Sequence, residues 1–445
     1  MGLSQTQIGT VRRLIEAVPD TAIRTLESAL ASGRNDNSIA EIHAMVSGEL
    51  VERRVRASVF APIATVCGAR GRLLNTNFPA DVLVLLWRAL REEAGEIVSR
   101  AVQAVMSGRG AEDGPPIFDE LCVFAYQGLR AGETGNFRAV IDRLNAASPG
   151  AAEAFIGVVS LAPLARGAIP RLGVWIRNVG GEQAPAVRLA FKDATKTAET
   201  NTPMFMELLA SHLEEPWQVL RLISVVMDKP SDRYLASSEL AGFGERLLAD
   251  MDRRIEGIAK LDTSRGRDGG VEAAQAISTC ASIMAEMEQG VSLSREGPWG
   301  SRIFSQKKAL ASAVETRLRE IEGALSAALP SQQVRYAGRP IRQAPKLTED
   351  PNPKAVAKVE CLLALLDGTR LSASNGGFGS LRLKIIEAVE PRLDFYAEDL
   401  IEMLHTGEGA PAARVRAYLE VTADALCMVR NAEAAEIVRR RAAVA

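Results

Sequence analysis

The sequence predicts an all-α protein, and three observations carry that prediction. Apolar residues recur at steps of three and four over long stretches. Only 5% of the 445 residues are aromatic, and Ala, Leu, Arg and Glu, which favour helices, outweigh the residues that sheets draw on. The periodic stretches are separated by turn chemistry, such as Ser148-Pro149-Gly150, Gly180-Gly181 and Lys229-Pro230.

Ile8, Val11, Leu14, Ile15 and Val18 mark a first helix that stops before Pro19. Asp20 can cap a second, running to Gly33. Ser38-x-x-Glu41 forms a capping box ahead of Ile42, Met45, Val46 and Leu50. After Asn77, Leu83, Leu86, Leu90, Ala94, Ile97, Ala101 and Val105 fall on one stripe. Pro79 suits its first turn and Gly108 its end, which predicts one helix over 79–107, about 40 Å long at about 1.5 Å per residue. Shorter helices are expected near 60–69, 116–131, 136–147, 150–163, 169–178, 184–198, 203–213 and 216–228.

From 231 to 329 the stripes lengthen. Leu240, Phe243, Leu247, Met251, Ile255 and Ile258 form one. Val271, Ala274, Ile277, Ala281, Met284 and Met287 form the next, and Leu310, Val314, Leu318, Ile321, Leu325 and Ala328 a third. The tract Arg265–Gly270 and the stretch Gly290–Gly300, which carries Trp299, read as the breaks between them. Three long antiparallel helices in a bundle would bury these stripes, with Gly242 and Gly244 as weak points in the first.

Prolines at 330, 340, 345, 351 and 353 mark a linker. Helices resume at 354–367, 380–389, 392–405 and 411–443, with a break near Asn431 and a loop at Gly376-Gly377-Phe378-Gly379. The runs Val82–Leu86 and Leu222–Met227 each sit inside a longer helical stripe, so no strand is expected.

The expected organisation is therefore a multi-helix array over 1–230, a long antiparallel helix bundle over 231–329, a Pro-rich linker over 330–353 and a small C-terminal helical domain over 354–445. The whole reads as an irregular α-solenoid or a bundle-like protein. No fixed repeat period stands out.

Composition narrows the function classes. A 47% hydrophobic and 24% charged chain is ordinary for a folded protein. A net charge of −2 gives no global field toward nucleic acid or an anionic membrane. The five cysteines at 67, 122, 280, 361 and 427 include no C-x-x-C pair, and they read as small buried hydrophobes in a reducing compartment. The N-terminus shows no secretory pattern. Its Met1-Gly2-x-x-x-Thr6 matches a myristoylation pattern that a bacterial-looking composition argues against. The longest apolar run, Ala154–Ala165, is short for a membrane span and contains Pro163. The basic residues are 43 Arg and 10 Lys, which reads as the codon usage of a GC-rich genome.

Residues for chemistry are sparse. His43, His212 and His405 share no i, i+4 face. No phosphate-binding loop or nucleophile elbow occurs. Gly376–Ser380 reads as a turn, with an anion-holding helix start as its alternative. Glu402-x-x-His405 lacks the second such motif that a di-metal bundle needs, and it reads with Glu398 and Asp399 as a solvated acidic face. No catalytic, cofactor or metal residue is assigned.

Two segments stand out as partner contacts. Arg166, Arg171, Trp175 and Arg177 set an aromatic among cations, the residue types enriched at interface hot spots. Arg335, Tyr336, Arg339 and Arg342 repeat the pattern in the linker.

The expectation is a non-catalytic helical scaffold or adaptor of the bacterial cytoplasm, binding other proteins or itself, with no cofactor, no membrane span and no nucleic acid. An all-α enzyme using Asp, Glu and Arg is the first alternative, and a helical nucleic-acid binder the second.

Overall fold

The computed structural model describes residues 4–31, 37–68, 77–108, 114–132, 135–177, 181–197, 201–227, 229–238, 240–334, 342–407 and 409–445. Apart from one short hairpin and two isolated bridges, every regular element among them is helical. The chain divides into two compact units, Met1–Asp228 and Lys229–Ala445.

The first unit contains α1 (Gln5–Ala17), α2 (Asp20–Ala31), α3 (Asn37–Ala64), α4 (Val82–Glu93), α5 (Gly95–Met106) and α6 (Gly114–Ala131). It continues with α7 (Asn136–Ala147), α8 (Ala151–Ala168), α9 (Leu172–Arg177), α10 (Ala184–Thr197), α11 (Asn201–Ala210) and α12 (Val219–Met227). α8 lies at its centre because its sequence is apolar on nearly every side. It packs against α3, α6, α7, α10 and α11, burying Phe155, Val158, Val159 and Leu161. A 3₁₀ turn over Ile169–Arg171 joins it to α9, so Pro163 does not end the helical path as the sequence reading expected. By length and composition the continuous stretch Ala151–Arg177 could cross a membrane; its most apolar 18 residues have a mean hydropathy of 1.4, and 44% of them are buried within the protein. α1 and α2 pack on α3 around a small core of Ile15, Ile23, Val46 and Leu50.

The stripe after Asn77 makes two helices rather than one. The backbone leaves helical geometry at Ala94 (φ −129°, ψ 36°), next to Gly95, whose missing side chain weakens a helix interior. Leu86, Leu90 and Ala94 are followed inward by Val98, Ala101 and Ala104, with Ile97 and Val105 half-buried beside them. The first of the two starts late, at Val82, because Phe78 is held in a bridge: Gly68 N–H donates to its carbonyl (2.7 Å) and its own N–H to Val66 (2.9 Å).

The second unit contains α13 (Asp232–Ser237), α14 (Ala241–Ala259), α15 (Gly266–Gly290), α16 (Pro298–Arg319), α17 (Ile321–Ala328), β1 (Ser331–Val334) and β2 (Arg342–Pro345). It continues with α18 (Pro353–Gly368), α19 (Ala373–Gly376), α20 (Gly379–Thr406), α21 (Ala412–Val429) and α22 (Ala432–Val444). All three long stripes face inward apart from Val271, which is half exposed. α14 packs on α15 and α16, but α15 lies most closely along α18, from beyond the Pro-rich segment.

That packing explains why Gly266–Gly270, expected as a break, is the first turn of α15. A Cβ at Gly270 would collide with the Cys361 carbonyl oxygen, and one at Gly368 would meet Ala274 at 2.5 Å. Glycine lets the two backbones approach, and burial outweighs its poor helix propensity. Gly244 likewise makes room for the buried Trp299 ring.

The expectation of no strand is corrected by β1 and β2, an antiparallel pair in register from Ser331 opposite Pro345 to Val334 opposite Arg342. Pro330 and Pro345 stand at its ends, where a missing N–H costs no ladder bond. α20 runs unbroken through Pro391, which is exposed, where two helices were expected. Asn431 separates α21 from α22, its side chain accepting from Ala434 N–H at 2.9 Å.

Candidate functional site

The four contact residues expected between 166 and 177 divide into three environments. Arg166 is spent inside the first unit. Its Nε donates to Asp119 Oδ1 (2.8 Å), Nη1 to the Ser58 carbonyl (2.7 Å) and Nη2 to the Val59 carbonyl (2.6 Å), and its guanidinium lies over the Phe118 ring. The reason lies in α3. Pro62 has no N–H, so the Ser58 oxygen four residues earlier has lost its helical donor. Arg166 supplies a replacement from α8.

His212 meets a carbonyl left open where the same helix ends, after Ala64. Its Nε2 lies 2.8 Å from the Pro62 carbonyl, which can only accept, so Nε2 carries the proton. Ser211 Oγ donates to the Leu208 carbonyl (2.7 Å) and is left to accept from Thr65 Oγ1 (2.6 Å). Ser211, Thr65 and His212 thus resemble a nucleophile and base only in composition. Every proton in the chain is directed at an oxygen, and the network ties α11 to the end of α3.

Arg177 turns back along α9, its Nη2 about 4.0 Å from the position of a Cβ at Gly173. Arg171 and Trp175, four residues apart on one face, line a trough of about 240 Å³. Pro163, Leu164 and Gly167 of α8 form one wall, and Ala186, Leu189 and Ala190 of α10 the other. The Trp175 ring is buried at its floor, whereas Leu189 on the rim is 58% exposed. Gly167 is exposed, and a Cβ there would meet nothing within 4 Å. The charged residues lining the trough are Arg171 and Asp193, and Asp193 is held by Lys196 at 2.7 Å.

Comparison with protein-family models, with curated proteins and with solved structures returns no match.

The α10 wall was missed from the sequence. Its only signal was Leu189 between small residues one turn apart, Ala186 and Ala190, on an otherwise amphipathic helix. Arg335, Tyr336 and Arg339, the second expected contact segment, lie outside the described residues, as does the Arg342 side chain, whose backbone begins β2.

A second, polar cleft of about 380 Å³ lies between α1, α3 and α4, lined by Arg12, Glu16, Glu49, Glu52 and Arg91. Its carboxylates are already engaged: Glu16 by Arg88 (3.2 Å), Glu49 by Arg53 (2.8 Å) and Glu52 by Arg91 (2.9 Å). Three of the cysteine thiols are held in their protonated form. Burial pushes Cys67, Cys122 and Cys280 up to about 12, in Cys122 against the pull of the nearby Arg166 cation. Among the described residues no group of three or more His, Cys, Asp or Glu side chains could hold a metal ion.

Proposed function

We propose that this chain is a non-catalytic helical scaffold or adaptor that docks a helix of a partner protein in the trough between α8–α9 and α10. The trough itself carries the reading. About 240 Å³ is less than the roughly 300–1,000 Å³ of pockets that enclose drug-sized ligands, and it suits one or two anchoring side chains of a partner. Small residues on both walls, Gly167 and Ala168 against Ala186 and Ala190, let a third helix come close. Exposed Leu189 and buried Trp175 supply the apolar surface that helix-in-groove recognition uses.

The test places a photocrosslinking residue at Leu189 in cells producing the protein, with the same residue at exposed Met106 as control. A discrete adduct is expected from position 189 alone. It should disappear when Gly167→Trp fills the trough, a change with open space to enter. Adducts that persist in Gly167→Trp, or that form equally from position 106, would reject the trough as a docking site.

A further inference from the structure

We infer that the docked helix carries a carboxylate beside its apolar anchor and that Arg171 binds it, an inference that rests on the trough reading above. Arg171 and Asp193 are the charged residues lining the trough. Asp193 already has its cation in Lys196, 2.7 Å away and three residues on along α10. Arg171 has no hydrogen bond or ion pair among the described residues, and it stands exposed on the wall opposite α10. This contrasts with Arg166, five residues earlier, whose Nε, Nη1 and Nη2 are all committed within the fold.

An occupant that buries the trough therefore meets one uncompensated cation. A neutral helix would partly desolvate that guanidinium without return, and a basic one would add repulsion. A carboxylate placed one turn from the anchor satisfies it. Two parallel N–H donors of the planar guanidinium match two carboxylate oxygens, a geometry that lysine cannot offer. The partner thus has two recognisable features: a large apolar side chain seated over Trp175 against Leu189, and Asp or Glu three or four residues away on the same helical face.

A displayed library of helical peptides, with two leucines fixed four residues apart and the other positions randomised, tests this on the full chain. Selection on the natural protein should enrich Asp or Glu next to the anchors. Selection on Arg171→Glu should enrich Lys or Arg there instead. Replacing the selected acidic residue by Gln should weaken binding about three- to fivefold, the range of an exposed ion pair, and the difference should shrink as salt rises. Enrichment that shows no charge preference, or the same preference in Arg171→Glu, overturns the carboxylate and leaves the trough standing. Failure to enrich any peptide whose binding Leu189→Asp abolishes overturns the trough and the carboxylate together.

Discussion

If Arg166 serves to replace the hydrogen-bond donor that Pro62 removes from α3, the two residues must be energetically coupled, and the size of the coupling can be worked out. Arg166→Met keeps most of the aliphatic stem and deletes the guanidinium. The side chain is 14% exposed, so solvent replaces little of what is lost. The Ser58 carbonyl, with no N–H at position 62, is left short of a partner at about 1–3 kcal/mol. The Val59 carbonyl loses a charge-assisted bond worth about 1–2 kcal/mol. The partly exposed Asp119 pair adds at most about 1 kcal/mol. The single variant should therefore lose about 2–6 kcal/mol. Pro62→Ala restores a backbone N–H within reach of the Ser58 oxygen, and in that background the same Arg166→Met change should cost about 1–2 kcal/mol less. Urea unfolding followed by helical dichroism gives the four stabilities of the cycle, and amide exchange along α3 assigns the loss to the first unit. A coupling within about 0.5 kcal/mol of zero would refute the reasoning, because Arg166 would then be stabilising α3 for some cause unrelated to its proline.

Gly167→Ala should raise stability by about 0.5–1 kcal/mol through helix propensity, yet weaken docking of a selected peptide, since Gly167 lines the trough and its Cβ would stand in open space. Gly48→Ala in α3, equally unobstructed but outside the trough, should show the stability gain without the binding loss. Asp232, buried beside the first turn of α16, accepts from Gly300 N–H at 3.3 Å. Asp232→Ala leaves that N–H unpaired at the positive end of the helix and should cost about 1–3 kcal/mol in chemical denaturation. Gly270→Ala drives a methyl group into the Cys361 carbonyl and should lower the unfolding free energy of the second unit by about 1–3 kcal/mol, whereas no loss would mean that α15 and α18 can separate freely. Finally, Cys67, Cys122 and Cys280 titrate near 12 in the folded chain and near 8.5 when unfolded. The unfolded chain therefore binds fewer protons from about pH 8.5 upward, so this contribution to stability is full below about pH 8.5 and is lost as pH rises toward 12. A variant with all three replaced by Ala should show a flatter alkaline limb.

The fold class was legible because helix burial depends on spacing alone. Leu240 to Ile258 and Leu310 to Ala328 are buried throughout, as their spacing required. What failed was the treatment of glycine and proline as punctuation. Gly266–Gly270 is helical because Cys361 and Gly368 come from a helix about a hundred residues later in the chain, a contact no local window contains. Pro62, Pro163 and Pro391 lie inside helices for a related reason. The cost of the lost donor depends on whether solvent or another side chain meets the freed carbonyl, and for Pro62 the answer is Arg166, 104 positions downstream. At Ala94 the error ran the other way: a continuous stripe concealed a change of helix.

The contact residues teach a more specific lesson about arginine. Arg166, Arg171 and Arg177 are chemically identical and lie within twelve positions, so composition weights them equally. Helix phase already separates them. Within the helix expected over 169–178, at about 100° per residue, Arg171 and Trp175 fall about 40° apart and Arg177 about 120° from Arg171, while Arg166 lies outside that helix. The trough gathers the pair that phase puts together and excludes the other two. Whether an arginine is available to a partner then turns on how many of its donors the fold has consumed. Three of Arg166's nitrogens are engaged, so removing it should threaten folding before any recognition is measured. Arg171 has no such engagement among the described residues, so removing it should leave the fold intact and alter only what the trough selects. Parallel denaturation and peptide-binding curves for Arg166→Gln and Arg171→Gln separate the two roles. A fold that weakens equally in both would show that donor count does not distinguish a structural arginine from a recognising one.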